Sequence, residues 1–353
     1  MLSLHPHTLP ARAPVRVLEL FAGAGGAALG LHAAGFEHVA CVERDASAAA
    51  TLRAAGFPAV EADVRDLDYA SLAGTIDVLW ASPPCQAWSK ANQHADQKGA
   101  EDVDRNGWPW TLRVVRLVRP RWAIFENVKN ARAYVERTVV PELRKLFAHV
   151  VIWVLNAADH GVPQSRTRLF VIAGPLAVSP PRSEPRRSMR DAIGVAYDKP
   201  APCVMTNEWK GRPTDPSWWK KLNNASDALA IATKGARRKL TLGECAALQT
   251  FPEGYPFTGD VEARYRQVGN AVPPVLAAVV ARAVRAAEEG AETVRESLPA
   301  LGALADRVLA RAVVLVRGRP PRGIGAEDID RFVLRHAGRL RAHVVDVIDK
   351  RAA

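Results

Sequence analysis

Cys85, Glu126, Arg166 and Arg168 are the side chains whose types and neighbours could carry covalent chemistry. Cys85 stands in Ser82-Pro83-Pro84-Cys85-Gln86, directly after the apolar run 76–81. Two consecutive prolines fix their own φ angles and drive the residue before them out of the helical region, so the chain leaves that run stiffly and the thiol is aimed. A thiol held in that way can act as a nucleophile. The competing reading is a small buried hydrophobe in a turn, the usual fate of a free cysteine, and this motif by itself balances the two. Glu126 follows the apolar run Trp122-Ala123-Ile124-Phe125, while Arg166 and Arg168 stand just ahead of Leu169-Phe170-Val171-Ile172-Ala173. Taken singly, the glutamate reads as an N-cap-like acid at a helix start and the arginines as a solvated basic turn. Taken with Cys85, charge brought to the ends of two further strands favours chemistry over those readings.

These groups need a scaffold that ends several strands in one place, and the N-terminal third reads as its beginning. Val15–Leu20 reads as a buried strand, Phe21-Ala22-Gly23-Ala24-Gly25-Gly26 as a glycine turn, and residues 27–34 as a helix. That order opens a doubly wound α/β sheet. The glycines let the backbone approach a ligand, and the helix start offers unpaired N–H groups to an anion. The third glycine follows at once, at Gly26, where the dinucleotide spacing would place it later, so S-adenosylmethionine is favoured over NAD. Glu43 ends the next apolar run, 38–42, about 20 residues beyond the first glycine, where an acid can accept hydrogen bonds from ribose hydroxyls. Asp63 ends a third such unit.

Five segments in chain order resemble the motifs of the C5-cytosine DNA methyltransferases: Phe21-Ala-Gly-Ala-Gly-Gly26, Ser82-Pro-Pro-Cys-Gln86, Phe125-Glu-Asn-Val128, Gln164-Ser-Arg-Thr-Arg168 and Arg266-Gln-Val-Gly-Asn-Ala-Val-Pro-Pro274. The resemblance runs from about residue 15 to 280. It implies a doubly wound, Rossmann-like methyltransferase fold with a small inserted target-recognition domain; the tail beyond residue 287 lies outside the resemblance and reads as a helical C-terminal extension from its apolar periodicity. The resemblance further implies Cys85 as the nucleophile, Glu126 as the acid at the N3 edge of the base, and Arg166 and Arg168 as groups that hold the pyrimidine. Phe21, Ala22, Gly23, Gly25, Gly26, Glu43, Arg44, Asp63, Val64, Pro83, Asn270 and Val272 would line an S-adenosylmethionine pocket. Cytosine C5 is too weak a nucleophile to take a methyl group, but thiolate addition at C6 makes the ring an enamine with electron density at C5. Charge developing toward N3 and O2 then needs a proton donor and a cation. A stacked base cannot be attacked at C6, so the nucleotide must be flipped out, at a cost of about a few kcal/mol. Residues 89–107 would be the loop that closes over the DNA, and Gln86, Ser89, Lys90 and Gln93 are expected DNA contacts.

The rest of the chain is consistent with a polyanionic partner, double-stranded DNA. Lysine and arginine number 48 against 37 acidic residues, a formal charge of +11. The four cysteines are scattered without metal-ligand spacing, so no metal site or disulfide framework is expected, and Cys41 and Cys245 read as packing. Residues 1–14 have no apolar core of the secretory kind, and no run of about 18 apolar residues suggests a membrane span. A cytoplasmic, nucleoid-associated monomer is expected, with a cognate restriction endonuclease as a further partner.

The expected organisation is a catalytic domain over 1–174, a target-recognition domain over 175–238, a returning catalytic part over 239–287 and an extension over 288–353. In the recognition region Trp209 and Lys210 would contact DNA, although a small core is the favoured reading for at least two of Trp209, Trp218 and Trp219. Thr241 and Glu244 stand at capping-box spacing before a helix stopped by Phe251-Pro252. Arg317-Gly318-Arg319-Pro320 resembles a minor-groove hook, with Arg317 and Arg319 as its contacts; an arginine-rich linker is the favoured alternative. The runner-up activities are the same chemistry on tRNA, or a DNA-binding relative without activity. The Cys-Phe-Thr tripeptide of the RNA-acting relatives is missing after Glu126-Asn127.

Overall fold

The computed structural model describes residues 14–88, 106–194, 198–206 and 240–290. The expected contacts Ser89, Lys90, Gln93, Trp209, Lys210, Arg317 and Arg319 lie outside these residues. Two compact units divide the chain at residues 283 and 284, and the second is described only over 284–290, where it is helical.

The first unit is built on a mixed sheet. Its strands are Val15–Leu20 (β1), Phe36–Glu43 (β2), Ala59–Glu61 (β3), Val78–Ala81 (β4), Trp122–Val128 (β5), His149–Asn156 (β6) and Thr167–Gly174 (β7). They lie in the order β3-β2-β1-β4-β5-β7-β6. Helices Gly26–Ala33 (α1), Ala46–Ala54 (α2) and Trp108–Val118 (α3) fill crossovers between the parallel strands. β4 and the first six residues of β5 are wholly buried, as parallel strands covered on both faces must be. One face carries a core that includes Leu18, Leu20, Leu79, Trp108, Phe125 and Val171. The strand runs, the glycine turn and the α1 helix agree with the sequence-based expectation.

Two topological facts decide where a ligand can sit. The chain runs outward through β1, β2 and β3, then returns to the other side of β1 as β4, so the strand order reverses between β1 and β4. A crevice opens outside the carboxyl ends of strands at such a switch point. The parallel registers Leu20↔Val42, Leu20↔Ala81 and Ala81↔Phe125 keep those ends level. The second fact is that β7 runs antiparallel to both β5 and β6. Its amino end therefore reaches the rim where the parallel strands finish, with Arg168 opposite Val128. The strand β6, apolar though it is, is an addition to the sequence reading.

The chain after the recognition region returns to this rim. Leu242–Leu248 (α7, after Met189–Ile193, α6) carries the expected capping box: Glu244 N–H donates to Thr241 Oγ1 at 3.1 Å and Thr241 N–H to the Glu244 carboxylate at 2.8 Å. Val261–Asn270 (α8) is tied to α2 through Thr51, whose hydroxyl donates to Gln267 Oε1 at 2.7 Å. The following backbone crosses the start of α1 so closely that a Cβ at Gly26 would come within 2.3 Å of the Val272 carbonyl oxygen. Gly26 is thus needed for packing as much as for any ligand. A window within Val261–Gly290 has a mean hydropathy of 1.3, but 67% of it is buried and the helix is interrupted at 271–273, which describes a core element.

Candidate active site

A cavity of about 710 Å³ opens at the switch point. Its wall joins Cys85, Gln86, Glu126, Arg166 and Arg168 to Phe21, Ala22, Gly23, Gly26, Glu43, Arg44, Asp63, Val64, Pro83, Asn270 and Val272. Gly25 stands behind this wall: its φ is +87°, and a Cβ there would lie 2.8 Å from Leu52 and 2.9 Å from the Tyr255 hydroxyl. It gives the turn its shape.

At one end the acids are already engaged by the protein. The Glu43 carboxylate accepts from Gly23 N–H and Asp45 N–H, both at 2.8 Å, and so bridges the glycine turn to the start of α2. Burial lifts its pKa above the ordinary carboxylate value, against the pull of those amides. Asp63 is the opposite case. Hydrogen bonds from Arg65, at 2.9 Å to each carboxylate oxygen, lower its pKa to about 2, and Arg44 approaches at 3.5 Å.

At the other end a thiol faces a buried ion pair. Arg168 Nε lies 3.0 Å from Glu126 Oε1. Burial raises the Glu126 pKa, with the charges of Arg168 and Arg166 opposing it. The Cys85 thiol is also raised, first by burial and then by the Glu126 anion, while the two arginines pull it down. Asn127 donates from Nδ2 to the Pro83 carbonyl at 3.0 Å, so the strand that carries Glu126 also fixes the proline turn that carries Cys85. Arg166 is 2% exposed; it donates through Nη1 to the Val204 carbonyl at 3.2 Å and through Nη2 to the Gly269 carbonyl at 2.9 Å. Its Nε–H has no acceptor among the described residues.

Three functional neighbours escape sequence reading of the site. Asn127 stands inside a recognised motif, and its anchoring of Pro83 needs the β4–β5 pairing to be seen. Gln164 is buried, donating to Leu248 O at 3.2 Å and accepting from Val204 N–H at 2.8 Å, so it knits the β7 approach to the returning segment. Cys203 lines the cavity and accepts from Arg166 Nη1 at 3.3 Å. Burial works to raise its pKa, but Arg166 and Arg168 outweigh it and hold this thiol below its ordinary value. Its one signal in the sequence is its place in the strand-like run Ala201-Pro202-Cys203-Val204-Met205-Thr206.

Elsewhere, Glu19, His38 and Cys41 bring ligand atoms within 4.8 Å of one another. Glu19 and His38 are hydrogen-bonded to each other at 3.0 Å, and Cys41 is fully buried against Ala28 and Leu52. That describes packing around a hydrogen-bonded pair.

A sequence model described as C-5 cytosine-specific DNA methylase matches residues 15–177 and 186–286. Type II methyltransferase M.AplI of Arthrospira platensis is 34% identical over 308 residues, covering 76% of this chain and 85% of that protein. Type II methyltransferase M1.HphI of Haemophilus parahaemolyticus is 30% identical over 322 residues, covering 76% and 86%. Among solved structures, a putative DNA modification methyltransferase encoded within an E. coli prophage superposes with a TM-score of 0.59 at 19% identity, covering 77% of this chain and 99% of that one. A Spodoptera frugiperda DNMT2 variant gives 0.57 at 17%, covering 75% and 98%. The two structures bear on the fold alone.

Proposed function

The chain belongs to the C-5 cytosine-specific DNA methylase family, and we propose that it methylates C5 of a flipped cytosine in a short duplex DNA target, through a covalent bond between Cys85 and C6. The observation that carries this reading is the convergence of Cys85, Glu126, Arg166 and Arg168 on one cavity with the glycine turn and Glu43. The cavity suits S-adenosylmethionine. A Cβ on Gly23 would meet nothing within 4 Å, so the glycine leaves open space where a ligand can lie against the backbone. Glu43, anchored on two amides, keeps lone pairs for ribose hydroxyls, and ionised Asp63 and Asn270 offer polar atoms beside Phe21 and Val272. When bound, the cofactor supplies an electrophilic methyl group.

The chain's own residues do the rest. Cys85 adds to C6 as the thiolate, and Glu126 gives a proton at N3 while the arginines meet charge at O2. The unpaired Nε–H of Arg166 is a donor that such an acceptor would satisfy. Glu126 and Cys85 are coupled: a protonated Glu126 can donate to N3 and no longer opposes ionisation of Cys85. Once C5 carries the methyl group, the N3 proton returns to Glu126, and loss of the C5 proton to solvent re-forms the C5–C6 double bond and expels the thiolate. We further propose a cognate restriction endonuclease as partner, from the Type II names of the relatives, and the cytoplasm as the place of action.

The test is incubation of the purified protein with radiolabelled S-adenosylmethionine and either duplex DNA or tRNA, followed by mapping of 5-methylcytosine, with Cys85→Ala in parallel. Methyl in DNA at one recurring short site, abolished by the substitution, is the expected result. Methyl in tRNA would replace the substrate, and label in neither would overturn the proposal.

A further inference from the structure

We propose that Tyr134 is a positioning residue that fastens together the two ends of segment 89–105 and thereby holds the Cys85 turn in its productive orientation; this rests on the reading of Cys85 as nucleophile.

The chain leaves the site at Trp88 and is described again from Asn106. Both ends meet on one side chain. The Trp88 ring lies on the Tyr134 ring, centroids 5.1 Å apart at 41°. Asn106 Nδ2 donates to the Tyr134 hydroxyl at 3.1 Å. Each end is also tied to the reaction centre. Trp88 N–H donates to the Cys85 carbonyl at 3.0 Å, and its own carbonyl accepts from Asn130 Nδ2 at 3.2 Å. Asn106 accepts from Trp108 N–H at 3.2 Å, and between them Gly107 packs so closely that a Cβ would fall 2.8 Å from Pro84 and 3.0 Å from Phe21. Tyr134 thus touches both ends, and each end leads within three residues to Cys85 or its prolines.

The helix that carries Tyr134 is built irregularly at this point. Arg132–Tyr134 (α4) widens into a π turn over Val135–Val139 before Val140–Arg144 (α5) resumes ordinary pitch. Pro141 has no N–H to give to the Arg137 carbonyl four residues back, which accounts for the change of pitch. Such single π turns recur at functional positions. Here the extra residue uncouples the two rotations: α5 sends Val140 and Leu143 into the core, while Tyr134 faces Trp88 and Asn106. A ring supplies apolar contact at one edge and a hydrogen-bonding handle at the other, the combination these two ends require.

The test uses the full-length protein with Tyr134→Phe, Asn106→Ala, the double variant and Tyr134→Ala. Three quantities are measured: the rate of adduct formation with duplex DNA containing 5-fluorocytosine, the rate of trypsin cleavage after Lys90 and Lys98 without DNA, and S-adenosylmethionine affinity by calorimetry alongside the melting temperature. Tyr134→Ala should slow adduct formation by about tenfold to a hundredfold and speed cleavage, with cofactor affinity near wild type and a melting temperature lowered by the lost ring contact with Trp88. Tyr134→Phe should give a smaller loss, Asn106→Ala a loss at least as large because it also removes the acceptor of Trp108 N–H, and the double variant no more than Asn106→Ala alone, because the shared bond is then already gone. Additive losses, unchanged adduct and cleavage rates, or losses that track a collapse in cofactor binding would overturn the proposal. If the wild type formed no adduct, the reading of Cys85 would fall, and the cleavage rates would decide the role of Tyr134.

Discussion

Arg168 reaches Glu126 at 3.0 Å across the β5–β7 pair, although the backbone partner of Arg168 is Val128, two residues further along the strand. On an antiparallel ladder residues two apart share a face, so this diagonal lets one long side chain reach an acid it does not oppose. The pair is nearly buried, and a buried ion pair is costly to break from one side because it strands the remaining charge.

Glu126→Gln keeps the shape and removes the titration. As a proton donor Glu126 works only while protonated, and burial raises its pKa, so activity should fall as pH rises through a point above the ordinary carboxylate range. The variant should lose about 10²–10⁴-fold in kcat, and its pH–rate profile should lack that limb. A limb that survives in Glu126→Gln would assign it to another group.

The thiol of Cys203 should be alkylated at lower pH than that of Cys85, since the arginines hold the first below its ordinary value and burial holds the second above. Peptide-resolved mass spectrometry after limiting iodoacetamide measures both rates in one sample. Faster labelling of Cys85 across the whole pH range would contradict the electrostatics described here.

Gly23→Ala and Gly26→Ala should fail differently. At Gly23 the new methyl enters open space at a φ of +55°, so cofactor affinity should drop, with a strain cost of about 1–2 kcal/mol. At Gly26 it strikes the Val272 carbonyl, and overpacking of this kind costs about 1–3 kcal/mol. Calorimetric affinity and denaturant midpoints, measured on both, separate the two.

His38→Leu should destabilise the fold, leaving the Glu19 carboxyl buried without its partner at a cost of about 1–3 kcal/mol. Glu19→Leu combined with His38→Leu should recover much of the loss. Burial raises the Glu19 pKa, so the wild-type contribution is full below the ordinary carboxylate value and declines as pH rises through the folded-state value. Urea midpoints across that range check both statements.

What the sequence made legible was local. The glycine turn and the α7 capping box are written in consecutive residues, and each is borne out; the run Pro83-Pro84-Cys85 is equally local, and it lines the cavity. What it did not make legible depends on pairing. The direction of β7 follows from its partnership with β6, a strand whose apolar run has no motif, yet that direction is what brings Arg166 and Arg168 to the rim. Cys203 acquires its character from arginines 37 and 35 positions away, and Asn127 from a proline 44 positions back. Glu43 was read as a ribose acceptor, whereas the fold also uses it to brace Gly23.

The backbone from Gly269 to Val272 has one further consequence. Its first carbonyl receives Nη2 of Arg166, and its last presses on the start of α1 at Gly26. On the proposed function, the parts of the cavity that would hold base and cofactor therefore rest on one backbone run four residues long. Any factor by which a cofactor held there changed DNA affinity, DNA would return to the cofactor.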